Sequence, residues 1–390
     1  MAVAVSLPAR MVPSVGFVST YPPTRCGIAT FTQALRNAMA VRNAMAVPSS
    51  VVVALVDEPA TSRRPEVVAE LVRGSPASLL AAVAVLESSD VVVLQHEFGI
   101  YGGEDGGDVL DLVARLRAPV IVILHTVLHS PSPHQQAIIE ELSAVAELVV
   151  VLSGTARTRL LELYDVTPEH VVVVPHGALP NPSSHVVRNP RRRPMILTWG
   201  LLGPGKGIEF AIDALAELRD LDPAPRYVVL GQTHPRVAAR EGEAYRDFLR
   251  ARARSLGVDD LVEFDDGYVD TESVLASIRE ADVVLLPYQS RDQVVSGVLV
   301  EAIASGKPVV ATQFPHAVEL LSAGSGILVP HDDASAIATA LRALLADPRR
   351  ASAAAAVARR QAEPLLWENV GETYRRLAAS VARIPEGAKR

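Results

Sequence analysis

Short runs of apolar, largely β-branched residues alternate along the chain with longer stretches whose apolar positions recur at helical spacing. Ser14 to Ser19, Ser50 to Val56, Asp90 to Gln95, Val120 to Leu124, Leu148 to Leu152 and Val171 to Val174 read as strands. Near-continuous apolar strands separated by helices predict a parallel sheet covered on both faces. A polar segment rich in proline and arginine, His185 to Pro194, interrupts this pattern. It restarts with Met195 to Trp199, Arg226 to Leu230, Val262 to Phe264, Val283 to Leu286, Val309 to Ala311 and Gly326 to Val329. The restart predicts a second α/β domain, with a linker near residues 180 to 194. From Ala351 to about Val381 the pattern is helical, with a break at Pro364 and a restart at Trp367.

Length and charge narrow the class. At 390 residues the chain exceeds the roughly 100 to 200 of one domain, which agrees with two cores. A net charge of −7 argues against nucleic acid as a general partner. The single cysteine, Cys26, excludes an internal disulfide framework and fits a reducing cytoplasm. Met1 to Pro8 is apolar but lacks the basic start and long apolar run of a signal peptide. No apolar run reaches the roughly 18 residues of a membrane span. The hexapeptide Arg36 to Val41 is repeated at once as Arg42 to Val47. Six residues turn a helix by roughly 240°, so the copies show different faces, and the repeat reads as an extension of a surface helix.

Candidate chemistry concentrates between Tyr288 and Thr312. A buried strand ends at Pro287, a polar loop follows, and a helix opens around Ser296-Gly297 and stops at Gly306. Free N–H groups at such a helix start face the carboxyl end of the strand, where open α/β sheets bind phosphorylated ligands. Glu301 lies about one turn inside the helix. One helix end for phosphate and one carboxylate behind it suit a sugar nucleotide. Gly200 to Gly207, with Lys206 inside it, follows Trp199 as a glycine loop leading into a helix; Gly200 and Gly207 let backbone approach a diphosphate that Lys206 neutralises. Its spacing is not that of a Walker A loop.

The first domain offers three strand ends. Pro22 to Thr30 follows the first strand, with Gly27 open to a ligand or, on the plainer reading, a proline-initiated turn capped at Thr30. Gln95 to Gly103 gathers His96, Glu97 and Tyr101 with glycines, a composition that points to lining a cleft. His125 ends another strand, which sets it above His129, His134, His170 and His185 as a functional histidine. His176 closes the domain in a turn near the hinge. No pair of histidines has convincing metal spacing, and His96, Glu97 and His125 make a poor ligand set.

Together these residues resemble the retaining glycosyltransferases of family 4, the group 1 glycosyl transferases. The resemblance spans nearly the whole chain and is most specific from Glu301 to Ala311, Glu-Ala-Ile-Ala-Ser-Gly-Lys-Pro-Val-Val-Ala. It implies the GT-B architecture, in which two Rossmann-like, doubly wound domains face a central cleft. The implied boundaries are 1–185 for an acceptor domain, 186–364 for a donor domain, and 365–390 for a helix crossing back to the first domain. It implies that Glu301 binds the donor ribose, that Lys206 binds the diphosphate, and that Ser296, Gly297 and Val298 offer N–H groups to phosphate or sugar. Gly27 would line the diphosphate, His125 would meet the transferred sugar, and Asp266, Gly267 and Tyr268 would flank the nucleobase. Two positions depart from the family: Leu201 stands where many members carry arginine, with Arg291 the candidate substitute, and Gln293 replaces the first glutamate of the signature. Gln293 still hydrogen-bonds sugar hydroxyls.

The implied reaction moves a hexosyl group, mannose or glucose, from a GDP- or UDP-linked donor to an acceptor hydroxyl with retained configuration. Domain closure near residues 180 to 194 would exclude water. No Asp-x-Asp presents itself as a metal site, so no metal or other cofactor is expected. The acceptor is a sugar, a metabolite or a lipid-linked group; Arg36 and Arg42 leave room for peripheral membrane contact, although a solvated face is the simpler reading. A sugar phosphorylase or epimerase on the same fold, and a non-catalytic nucleotide-sugar binding protein, are the alternatives. An NAD dehydrogenase ranks lower, because neither glycine loop has the dinucleotide fingerprint.

Overall fold

The computed structural model describes residues 13–40, 50–181, 192–267 and 269–382. The second hexapeptide copy, most of the expected linker and Tyr268 lie outside the described residues. The chain divides into two compact units: Met1–Gly177 with Trp367–Arg390, and Ala178–Leu366.

The first unit is built on a seven-stranded parallel sheet of β1 (Val15–Ser19), β2 (Ser50–Val56), β3 (Val67–Val72), β4 (Val91–His96), β5 (Val120–Leu124), β6 (Leu148–Val151) and β7 (Val171–Val173). Its order is β3-β2-β1-β4-β5-β6-β7, which reverses direction between β1 and β4. The edge strand β3 is the one the apolar pattern did not reveal. It mixes strand formers with Ala, Glu and Leu, and its Glu70 points inward. That carboxylate is buried yet satisfied, accepting the Ala60 N–H at 3.3 Å and pairing with Arg63 at 3.1 Å.

Helix Gly27–Ala40 follows β1 and buries Ala29, Phe31, Thr32, Leu35, Ala38 and Met39. Ala38 and Met39 belong to the first hexapeptide copy, so this stretch faces the core rather than water. The helix packs against helix Trp367–Val381, where a Cβ on Gly371 would fall 2.7 Å from the Ala38 backbone carbon. Arg375 closes the contact by donating to Ala38 O at 2.9 Å and Met39 O at 3.0 Å.

In the second unit the sheet order is β10-β9-β8-β11-β12-β13, with β8 (Met195–Trp199), β9 (Arg226–Leu230), β10 (Val262–Asp265), β11 (Val283–Leu286), β12 (Val309–Thr312) and β13 (Gly326–Val329). All its pairings are parallel. Successive strand residues point to opposite faces. Ile196, Tyr227, Val229, Val283, Leu285 and Val310 therefore join one core with helix Ile208–Ala216, while Leu197, Val228, Val284, Leu286, Val309 and Ala311 join a second core with helix Gly297–Ala304. The order reverses between β8 and β11, so the loops leaving these two strands open a crevice at their carboxyl ends. The most specific part of the sequence sits there.

Candidate active site

Both loops at the β8/β11 switch point are fixed by short contacts. Gly207 caps helix Ile208–Ala216 at φ +66°, and a Cβ there would lie 1.8 Å from Pro287 O, so only glycine fits. Gln289 N–H donates to Gly205 O at 3.0 Å, which ties the glycine loop to the loop after β11. A Cβ on Gly200 would stand 3.8 Å from Val298 Cγ2, so the glycine loop also lies against the start of the Gly297 helix.

Lys206 is half-buried, with its Nζ 4.4 Å from the centroid of the Tyr288 ring. Burial pulls its pKa down from the ordinary lysine value. A cation over an aromatic face gains about 0.5–2 kcal/mol, which offsets part of the lost hydration but supplies no counter-charge. No acidic side chain among the described residues pairs with it. Tyr288 is itself buried, and its carbonyl is held by Thr312 Oγ1 at 2.6 Å and His331 Nδ1 at 2.9 Å.

Helix Gly297–Ala304 begins at Ser296, whose side chain accepts the Leu299 N–H at 3.2 Å. The Gly297 and Val298 N–H groups have no intrahelical acceptor and carry the positive end of the helix. The Ser296 N–H, expected as a third donor, is instead bonded to His316 Nδ1 at 2.9 Å. Glu301, one turn in, accepts from Trp199 Nε1 at 3.0 Å. Burial raises the Glu301 pKa and the Trp199 N–H opposes it; the net shift is upward, so desolvation wins.

Other expected donor-site residues are placed differently. Gln293 turns its amide onto its own loop, with Nε2 donating to Val295 O at 2.9 Å. Arg291 is 71% exposed and lies 3.7 Å from Asp332, so it points at a carboxylate rather than at the glycine loop. Asp266 is engaged by Arg246 at 2.8 Å and by Arg250. Leu201 is half-buried. Lys307, the lysine of the signature, is buried and donates to Arg279 O at 2.7 Å and Ala281 O at 2.8 Å. It caps the helix Thr271–Glu280, and burial lowers its pKa to about 8.

In the first unit, His125 Nε2 lies 2.7 Å from Gln95 Oε1, and its ring meets Phe31 edge-on at 4.9 Å. Burial, with the positive charge that His176 and His96 would carry, holds its pKa down at about 3. His96 and Tyr101, expected to line a cleft, are 0% and 3% exposed. Tyr101 donates its hydroxyl to Gln95 O at 2.7 Å, so it supports the strand end. Glu97 is half-buried; its Oε1 accepts the Phe98 N–H at 3.1 Å and its Oε2 the Thr126 hydroxyl at 2.5 Å. Gly27 is exposed at the first position of its helix, and a Cβ there would meet nothing. The helix is not capped by Thr30: Cys26 precedes it, its Sγ accepts the Ala29 N–H at 3.4 Å, and Thr30 Oγ1 donates back to Cys26 O. Glu104, Asp105 and His134 cluster elsewhere on the unit, with His134 Nδ1 3.2 Å from Asp105.

Trp199, Tyr288 and His316 were not singled out in the sequence. An indole ending a strand just before the glycine loop was the available signal for Trp199, whereas His316 joins the site from the helix that follows β12.

A doubly wound α/β protein with a helix start and a lysine at the switch point of its second sheet is the class this geometry defines. The chain belongs to the group 1 glycosyl transferases, of glycosyltransferase family 4; the family model "Glycosyl transferases group 1" matches residues 183–361. It is 30% identical over 346 residues to the D-inositol 3-phosphate glycosyltransferase of Geodermatophilus obscurus, covering 80% of this chain and 73% of that one. It is 35% identical over 167 residues to the GDP-mannose-dependent alpha-(1-6)-phosphatidylinositol monomannoside mannosyltransferase of Mycolicibacterium smegmatis, covering 41% of each. The chain spans less than two thirds of the length of several curated relatives that it matches, 61% and 56% in two further D-inositol 3-phosphate glycosyltransferases. Among solved structures it resembles Anabaena Alr3699/HepE, crystallised with UDP and glucose, at a TM-score of 0.74 and 16% identity over 94% of this chain and 100% of that one. That likeness, with the two parallel sheets, shows the GT-B fold.

Proposed function

We propose that this protein is a hexosyltransferase that takes a mannosyl or glucosyl group from a GDP- or UDP-linked donor and passes it to an acceptor hydroxyl with retained configuration. The observation that carries this reading is the half-buried Lys206 ammonium, unneutralised by any described acid, beside a helix start with two unclaimed N–H groups. Breaking the bond between the anomeric carbon and the diphosphate oxygen builds negative charge on the leaving group. A positioned cation and helix N–H groups stabilise that charge without reorganising at the moment of reaction. The role others give to a metal is assigned here to Lys206 and the helix end. The Glu301 carboxylate accepts from the ribose hydroxyls, and as the acceptor oxygen joins the anomeric carbon its proton passes to the departing diphosphate oxygen. His125, neutral because its pKa is about 3, is proposed to hydrogen-bond substrate hydroxyls from the first unit. The relative named as using GDP-mannose and the neighbour crystallised with UDP and glucose support this range of donors.

Thermal-shift titration with GDP- and UDP-sugars, followed by assay of nucleoside diphosphate release with acceptor hydroxyls, tests the reading. Lys206→Ala and Glu301→Ala are expected to lower turnover by on the order of 10²-fold or more. Unchanged donor binding and turnover in both variants would overturn it, and consumption of orthophosphate in place of diphosphate release would assign a phosphorylase.

A further inference from the structure

The segment Gln293 to Ser296 leads into the helix whose start presents the two unclaimed N–H groups, so its conformation sets where those groups aim. It is held at both ends by one residue from the helix after β12. His316, the second residue of helix Pro315–Leu321, donates its backbone N–H to Gln293 O at 3.3 Å, and its Nδ1 accepts the Ser296 N–H at 2.9 Å. A backbone N–H can only donate, so Nδ1 must be the unprotonated nitrogen and the neutral ring carries its proton on Nε2. The imidazole is 2% exposed and Ser296 is 4% exposed, so water does not substitute easily for either partner.

We infer that His316 is a positioning residue for the donor diphosphate, fixing the Ser296 cap so that the Gly297 and Val298 N–H groups converge on the ligand. This rests on the reading that the helix end receives the diphosphate. The cost to the site is one donor, since the Ser296 N–H is withdrawn from the ligand. The return is a helix start that does not need to be ordered when the ligand arrives, which is how a fixed framework converts contacts into affinity. Without the Nδ1 acceptor a buried N–H is left unpaired, and the segment relaxes to find water.

The test compares His316→Leu with His316→Asn, whose Oδ1 can accept in place of Nδ1. In the Leu variant the dissociation constants for UDP or GDP are expected to rise on the order of ten-fold, the equivalent of about 1.4 kcal/mol. Exchange of the Ser296 amide proton is expected to quicken, and the Asn variant to recover most of both. Nitrogen shifts of His316 in the unaltered chain should show Nδ1 bare and Nε2 protonated, a readout that does not depend on the Leu variant folding. A folded Leu variant that binds nucleotide as tightly as the parent, or a protonated Nδ1, overturns the inference. If the parent binds neither UDP nor GDP, the donor reading fails, while the tautomer and the Ser296 amide still report independently on the clamp.

Discussion

Trp199 Nε1 donates to Glu301 Oε2 at 3.0 Å, joining the end of β8 to the second turn of the Gly297 helix. The bond is the one favourable influence on the Glu301 charge set against its burial. Trp199→Phe keeps an aromatic ring but removes the N–H, so the Glu301 pKa should rise further and a larger share of the carboxyl should be neutral at a given pH. A neutral carboxyl is a weaker acceptor for ribose hydroxyls. Affinity for nucleoside diphosphate is expected to fall roughly five-fold, the worth of about one hydrogen bond, and to fall more at pH 6 than at pH 8. Calorimetric titration at the two pH values checks this; equal affinity for parent and variant at both would remove Trp199 from the site.

Twelve of the strands were legible because each is a compact apolar run between helical stretches, and parallel sheets buried on both faces require such runs. The edge strand β3 was not, because a strand at a sheet's edge tolerates an inward Glu70 and helix-favouring neighbours once local partners satisfy it. The helix start at Ser296-Gly297 and the carboxylate at Glu301 could be read from local order alone, since cap, glycine and acid lie within a few residues. What escaped were the partners that individual polar groups take. Nothing in the local sequence says that His316 Nδ1 claims the Ser296 N–H, or that Tyr101 spends its hydroxyl on the Gln95 carbonyl. His96 looked like a cleft residue because strand ends carry function, yet a strand's last residue can also point into the core. Lys206 and Lys307 make the same point in opposite directions: both sit in glycine-containing signature segments, but one meets an aromatic face and the other caps a helix.

Acid should weaken the first unit well above the carboxylate range. His96, His125 and His176 all lie in it, and burial holds their pKa values at about 4, about 3 and about 4, below the ordinary 6.5. The unfolded chain therefore takes up protons below pH 6.5 that the folded unit refuses until pH 4 or lower. Stability is present in full above 6.5 and is lost as pH falls towards the folded values. Each histidine contributes at most about 1.4 kcal/mol per pH unit within that window. Trp367, one of the chain's two tryptophans, packs near Phe31 and His176, so in a Trp199→Phe background its fluorescence follows this unit alone. Urea midpoints should drop steadily from pH 6.5 to pH 5, and His96→Leu should remove about a third of the slope. A flat midpoint over that range would refute the assignment.

The glycine loop offers a paired test of which backbone positions the site depends on. Gly205 and Gly207 both have positive φ, +90° and +66°, so alanine at either pays the left-handed penalty of about 1–2 kcal/mol. They differ in surroundings. A Cβ on Gly205 meets nothing within 4 Å, whereas one on Gly207 would sit 1.8 Å from Pro287 O, a backbone atom that cannot swing aside. Gly205→Ala should therefore lower the melting temperature modestly and leave nucleotide affinity within a few-fold of the parent. Gly207→Ala must push the loop away from the end of β11, carrying Lys206 off the Tyr288 ring and away from the Gly297 helix. Its expected signature is a larger fall in stability, by several kcal/mol if the clash is not relieved, together with loss of nucleotide binding. Thermal denaturation and nucleotide titration of the two variants measure both effects. Similar behaviour in the two would mean that the conformational penalty, and not contact with Pro287, governs the loop.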